Sequence, residues 1–215
     1  MSMKPVMIYV YDALCTWCYG FSPVMRAVYE NYAGDFEFEV LSGGMITVPI
    51  SDASGSPVND YQTVEERTGI IFGQGFLHRL EKGELIFNSE IPAIALSVYK
   101  ALKPQYAVEF AQHIQSSIYF DGKSSDEIEL YRYLAANDGI DPDEFENRMS
   151  DSQYREAAHY DFALAKQLGV ESYPAVFIQQ SDSKFYLIAR GYADYETMEL
   201  RINNVKTEMG LAEDS

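Results

Sequence analysis

The segment Asp12-Ala13-Leu14-Cys15-Thr16-Trp17-Cys18 holds the only two cysteines in a chain of 215 residues. Two cysteines scattered at random would fall three apart in roughly one arrangement in a hundred, so the spacing calls for a cause. Half of a zinc site would need two further ligands at tetrahedral distance. His78, His113 and His159 stand apart from one another without ligand spacing, and no bound metal is expected. Two inert thiols would pack like small apolar groups, which leaves the spacing unexplained. A redox dithiol accounts for it, provided the pair follows a buried strand and opens a helix. Cys15 then sits at the helix N-terminus, where orphan N–H groups and the helix dipole favour an anion. That makes Cys15 the attacking sulfur and Cys18, one turn further in, the thiol that resolves a mixed disulfide. Thr16 and Trp17 lie between them and tune how strongly the thiolate is favoured. Neither adds positive charge, which predicts a milder oxidant than a motif with an internal histidine. Trp17, the only tryptophan, is either a core residue or a contact for an unfolded or apolar substrate.

The elements needed to place these thiols can be read around them. Residues 6–12, VMIYVYD, form an apolar run suited to a strand buried on both faces. Phe21, Val24, Met25 and Val28 recur at helical steps between Cys15 and Tyr32, with Pro23 expected to kink that helix. Residues 35–44 alternate Phe36, Phe38 and Val40 against acids, a period-two strand closed by Gly43 and Gly44. Strand, helix and strand in this order make a βαβ unit with a parallel pair. Residues 45–63 read as a long polar loop. From about residue 60 to 170 the pattern is helical, with no convincing strand. Helices are expected over 89–102, with Ser89 as cap, and over 105–119, 125–137, 141–149 and 152–168. The segment 124–127, SSDE, has the form of a capping box. Strands at 175–180 and 184–190 flank a polar turn at 180–183, and a last helix runs over 195–208. The expected fold is α/β. Residues 1–60 and 170–215 make one sheet-bearing domain, and 61–169 make an inserted helical cap.

Composition limits the partners. Hydrophobic residues are 47% of the chain and charged residues 23%, enough for a packed core. A net charge of −17 argues against nucleic acid and anionic lipid, both of which need clustered Lys and Arg. No apolar run approaches the roughly 18 residues of a membrane span. The first residues lack the pattern of a secretory signal, so a cytoplasmic location is expected.

A second signal is Tyr173-Pro174 at the head of a strand. The proline is tolerated there on structural grounds alone. If its peptide bond is cis, the turn presents the Tyr173 backbone outward, against the dithiol, to pair with an extended substrate. The segments DALCTWCYGFSPV and GVESYPAVFI, with the helical block between them, resemble the DsbA-type branch of the thioredoxin superfamily. The likeness is to the FrnE-like group described as predicted protein-disulfide isomerases. The resemblance implies a thioredoxin-like fold (βαβ … ββα) with a large helical insertion. It implies that Cys15 is the nucleophile, Cys18 the resolving thiol and Pro174 the family's cis-proline. The element FNSEIPA, residues 87–93, is similar to the family's Asn-Ser/Thr helix start, placing Asn88 and Ser89 near the active-site face. Two positions depart from the pattern: Trp17 replaces the histidine of the periplasmic oxidant, and Tyr173 is bulkier than the usual residue before the proline.

The function expected is that of a thiol-disulfide oxidoreductase or protein disulfide isomerase acting on protein or small-molecule disulfides. No cofactor is expected beyond the redox-active disulfide of the chain itself, with glutathione as a candidate electron partner. Two other readings share these features. A kappa-type glutathione transferase or 2-hydroxychromene-2-carboxylate isomerase uses the same scaffold but usually has serine or a single thiol where Cys15 stands. A non-enzymatic, chaperone-like module would hold clients in an aromatic groove, for which 17 tyrosines and 12 phenylalanines supply material.

Overall fold

The computed structural model describes residues 4–51 and 60–211. Part of the polar loop expected at 45–63 therefore lies outside the described residues. Four strands form one mixed sheet: β1 (Val6–Tyr11), β2 (Glu37–Ser42), β3 (Ala175–Ser181) and β4 (Lys184–Arg190), in the order β2-β1-β3-β4. β1 and β2 are parallel, with Tyr11 opposite Ser42, and the other two pairings are antiparallel. The parallel pair needs a crossover, which α1 (Thr16–Tyr32) supplies. Between β2 and β3 come α2 (Tyr61–Thr68), α3 (Gln74–Glu81), α4 (Glu90–Leu102), α5 (Ala107–Tyr119), α6 (Ile128–Asn137), α7 (Pro142–Met149) and α8 (Ser152–Gln167). The chain closes with α9 (Tyr195–Glu208).

β1 is central and buried on both faces, as its apolar run requires. Met7, Tyr9 and Tyr11 join a large core with Phe21 and Met25 of α1 and with Phe110 and Tyr119 of α5. Ile8 and Val10 face a smaller core made with Leu41, Ala175 and Phe177, which α8 covers through Ala165, with Leu164 and the following Leu168 partly buried against it. The large core runs without interruption from the sheet into the inserted helices. Lys100 of α4 fastens edge strand β2, donating to Glu39 Oε1 (2.5 Å), Val40 O (2.8 Å) and Asp161 Oδ2 of α8 (3.2 Å).

Pro23 lies inside α1, as expected. The proline cannot donate to the carbonyl of Tyr19, and the Ser22 hydroxyl donates to that oxygen instead (2.8 Å). The helix expected from residue 105 opens with a 3-10 turn over Pro104–Tyr106. The hairpin turn is tighter than 180–183, because Ser181 pairs with Lys184. The capping box at 124–127 is only half made. Glu127 accepts from the backbone N–H of Ser124 (3.1 Å), but the Ser124 hydroxyl accepts from Ile86 N (2.6 Å), and α6 starts at Ile128. At Ser124 a tertiary partner outcompeted the local one. One isolated antiparallel bridge, Ile50 to Phe87, occurs near the helical block.

The approach of α3 to the end of α5 depends on Gly73, at which a Cβ would stand 1.9 Å from the carbonyl oxygen of Phe120. Backbone cannot rotate away as a side chain can. Gly73→Ala is expected to cost about 2–3 kcal/mol, lowering the thermal midpoint by roughly 5–10 °C. Gly34→Ala, where nothing lies within 4 Å, should leave the midpoint nearly unchanged; circular dichroism melts compare the two.

Candidate active site

β1 ends at Tyr11, and the following turn carries Asp12 into the interior. Its carboxylate accepts three hydrogen bonds: Leu14 N (2.9 Å) and Ser89 Oγ (2.9 Å) at Oδ1, and Met45 N (2.7 Å) at Oδ2. Its backbone carbonyl accepts from Cys15 N (3.1 Å) and from Gln115 Nε2 of α5 (3.2 Å). One residue thereby joins the β1–α1 turn to the segment after β2, to the start of α4 and to α5. Burial raises the Asp12 carboxyl above its ordinary value, opposed chiefly by the donors from Met45, Leu14 and Ser89.

The turn held in this way delivers Cys15 as the N-cap of α1, with extended backbone (φ −91°, ψ 110°). Its sulfur accepts from Cys18 N (3.3 Å), one of the orphan donors of the first turn. Gln115 Nε2 lies 3.4 Å from the Cys15 carbonyl and steadies the same turn from below. Cys15 is 5% exposed and Cys18 is fully buried one turn behind it. Both are free thiols. Burial pushes the Cys18 thiol well above its ordinary value, and the neighbouring Cys15 adds to the rise.

The far end of the chain completes the site. The Tyr173–Pro174 peptide bond is cis, as the sequence raised conditionally. The Cys15 thiol donates to the Tyr173 carbonyl oxygen (3.5 Å) across 158 positions of sequence. The Tyr173 ring lies over Gly43, donating from its hydroxyl to the Gly43 carbonyl (2.8 Å). A Cβ at Gly43 would stand 2.3 Å from that ring, so glycine is needed for the ring to lie there. Burial, followed by the charge of Asp12, pushes the Tyr173 hydroxyl up to about 12.

The remaining expected site residues have surroundings of their own. Thr16 is buried and Trp17 partly buried. Asn88 is buried, and its side-chain oxygen accepts from Glu90 N (2.9 Å), so the cap of α4 comes from Asn88. Ser89, the expected cap, makes no capping bond and donates its hydroxyl to Asp12 instead. His159 pairs with Glu90 Oε1 (2.8 Å). Among the described residues no cluster of three or more His, Cys, Asp or Glu could hold a metal ion. Likewise, no helix there is long and apolar enough to cross a membrane. Asp12 and Gln115 escaped the sequence reading. Asp12 had one available signal, a lone carboxylate closing an apolar strand three residues before the first cysteine.

A dithiol at the first turn of the crossover helix, facing a cis-proline turn across a four-stranded sheet, defines the thioredoxin class of fold. A thioredoxin family model matches residues 9–200, so the chain belongs to that family, and its fold is of the DsbA type. Among solved structures it is similar to a candidate protein disulfide isomerase from Nitrosomonas europaea. There the TM-score is 0.84, with 21% identity and 96% and 98% of the two chains covered. It is also similar to the cytosolic disulfide reductase DsbM from Pseudomonas aeruginosa, solved alone and with GSH. For the first of these the TM-score is 0.79, with 22% identity and 96% and 100% covered. A curated relative, the ClpXP adapter protein SpxH of Halalkalibacterium halodurans, is 20% identical over 203 residues. That match takes in 89% of this chain and only 65% of the relative's length.

Two outcomes follow from the geometry. Gly43→Ala displaces the Tyr173 ring and loosens the cover on Cys15. Alkylation of Cys15 should then speed up roughly five- to tenfold, the equivalent of the lost hydrogen bond; mass spectrometry after a timed iodoacetamide pulse reads it. The second concerns alkaline pH. Cys18, Tyr9, Tyr11 and Tyr119 keep their protons in the folded state above their ordinary values of 9.0 and 10.0. The unfolded chain releases those protons first, so stability present below pH 9 is lost as the pH rises. Melting temperatures taken across this range should fall from about pH 9 upward, and Cys18→Ala should make the first part of the fall shallower.

Proposed function

We propose that the chain is a thiol-disulfide oxidoreductase in which Cys15 attacks and Cys18 resolves. The observation that carries this reading is the Cys15 sulfur at the N-cap of α1, bonded to Cys18 N at 3.3 Å, with the second thiol buried one turn behind. The Cys15 thiolate attacks one sulfur of a substrate disulfide, forming a mixed disulfide and releasing the first substrate thiol. Cys18 then attacks Cys15, the internal disulfide forms, and the second thiol departs. Substrate is reduced by two electrons and the protein oxidised by two. The Tyr173 carbonyl, 3.5 Å from the Cys15 sulfur, is an acceptor for the backbone N–H of an extended substrate segment. Trp17, Tyr173, Pro174 and Asn88 border the substrate in this reading, and Thr16 tunes the sulfur beside it. Glutathione is the electron partner we favour, supported by the likeness to a cytosolic disulfide reductase that was solved with GSH. The same likeness favours a cytoplasmic location and the reducing direction.

A binding role has one observation in its favour, the curated relative named as a ClpXP adapter. The second buried thiol speaks against that role as the main one, since holding a client requires no resolving sulfur.

Reduction of insulin and of glutathione disulfide separates these readings. Wild-type protein is expected to turn over both with glutathione or dithiothreitol as donor. Cys15→Ser should abolish turnover, and Cys18→Ala should accumulate a mixed disulfide at Cys15, visible as a mass increase. Retention of activity by Cys15→Ser overturns the assignment.

A further inference from the structure

The sheet ends at β2 on one side, and that edge is only half closed. In a parallel pair, alternate residues of a strand bond to the neighbouring strand, and those between turn their N–H and C=O the other way. On β2 the odd positions point inward, since Glu37 donates its backbone N–H to Pro5 O at the head of β1 (3.0 Å). The even positions therefore point outward. Toward the end of the strand the helical insertion takes two of their groups. Val40 O accepts from Lys100 Nζ (2.8 Å), and Ser42 N donates to Asp161 Oδ2 (3.4 Å). Midway along, the outward N–H and C=O of Phe38 and the N–H of Val40 meet no hydrogen-bond partner among the described residues.

This open stretch borders a cleft of about 370 Å³ lined by Tyr29, Glu37, Phe38, Glu39, Pro104 and Gln105. The Tyr29 ring meets Phe38 edge to face at 5.0 Å, and its hydroxyl donates to Gln105 O (2.5 Å). Glu39 is paired with Lys100, whereas Glu37 is exposed and has no ion-pair partner among the described residues. The Tyr29 hydroxyl is raised by burial and then by the charge of Glu109 on α5, so acid borders that side too.

Unpaired edge groups beside an aromatic floor form a template for one more strand. A second copy of this chain fits it poorly. Two copies paired antiparallel about Phe38 would set Glu37 opposite Glu39, and like charges directly opposite destabilise a sheet. The side chains of an added strand alternate as those of β2 do. On one face they meet Phe38 and Tyr29, and on the other the carboxylates of Glu37 and Glu39.

We infer that the open half of the β2 edge is a docking site for an extended segment of a partner protein in which apolar and basic residues alternate. The segment adds a strand to the sheet, exchanging backbone hydrogen bonds with Phe38 and accepting from Val40 N. Its apolar side chains lie on Phe38 and Tyr29, and its Lys or Arg side chains lie beside Glu37. Lys100 and Asp161 cap the rest of the edge and so set where the added strand stops. Docking here is non-covalent and uses neither sulfur, so it stands apart from the oxidoreductase reading.

An end-capped hexapeptide alternating valine and lysine, titrated into the whole protein at fixed ionic strength, tests the inference. Amide hydrogen exchange followed by NMR reads the edge residue by residue. In the free protein the Phe38 amide should exchange at least about tenfold faster than those of Glu39 and Leu41, which face β1. Saturating peptide should slow Phe38 by about tenfold or more. Glu37→Gln should weaken binding roughly two- to fivefold and Glu37→Lys more, with melting temperatures like that of the wild type. The same hexapeptide carrying N-methyl groups on the residues that face β2 keeps its charge and loses its backbone donors, and it should not bind. Equal binding by the N-methylated peptide, or by one with its valines and lysines in separate blocks, overturns the inference. It would mark simple attraction to a chain of net charge −17. An unchanged Phe38 amide at saturation also overturns it. So does protection of Phe38 in the free protein that grows with protein concentration, which would put a second copy on the edge.

Discussion

The buried carboxylate of Asp12 is the constraint on which the site depends. Removing a carboxylate from water costs several kcal/mol; each hydrogen bond to the ionised form returns about 1.5–3 kcal/mol. Three such bonds, from Leu14, Met45 and Ser89, oppose that cost in part, while burial still raises the carboxyl. Those donors come from the β1–α1 turn, the segment after β2 and the start of α4. Keeping all three bonds therefore requires the helical insertion to dock in one position on the sheet. The same residue, through its backbone carbonyl, receives Cys15 N and the Gln115 amide. The interaction that fixes the insertion also sets the turn that carries the Cys15 sulfur.

Around that anchor the two sulfurs are placed in unlike surroundings by elements far apart in sequence. Cys15 meets the first-turn N–H of Cys18 on one side and the Tyr173 carbonyl on the other. Cys18 has only the buried interior, with Tyr9, Tyr11 and Tyr119 among the charge-sensitive groups near it. One thiol, 5% exposed, sits between two polar backbone groups, and the other is fully buried, its thiol pushed up by that burial. This asymmetry distinguishes the pair from two cysteines in equivalent surroundings. It also gives the bulky Tyr173 a purpose: its ring, seated over Gly43, holds the carbonyl toward Cys15.

Much of this was legible in the sequence where local rules decide. A continuous apolar run, a period-two alternation, strand-forming residues around a polar turn and period-3.6 stripes located the four strands and most helices among the described residues, because burial leaves a one-dimensional signal. The Cys15–Cys18 spacing, the Pro174 signal and the DsbA-type resemblance carried the fold class. The failures share a cause. Ser89 looked like a cap and binds Asp12 instead, while Asn88 caps α4. Ser124 looked like half of a capping box and bonds Ile86. In both, a short polar side chain had a choice between a local backbone group and a distant partner, and local pattern cannot rank the two.

What the sequence by itself determined was the chemistry: a pair of thiols at a helix start, following a strand apolar enough to be central. Sulfur reactivity and helix-terminus electrostatics act over a few residues, so their logic is written in contiguous chain. Only the tertiary structure decided which groups surround those sulfurs. The Asp12 anchor, the Gln115 brace and the Tyr173 carbonyl come from positions up to 158 residues away from the atoms they serve. Hydrogen bonding and burial act over a few ångströms of space and are indifferent to separation along the chain. The environment of Cys18 could thus be read only once α5 and the turn before β3 had closed around it.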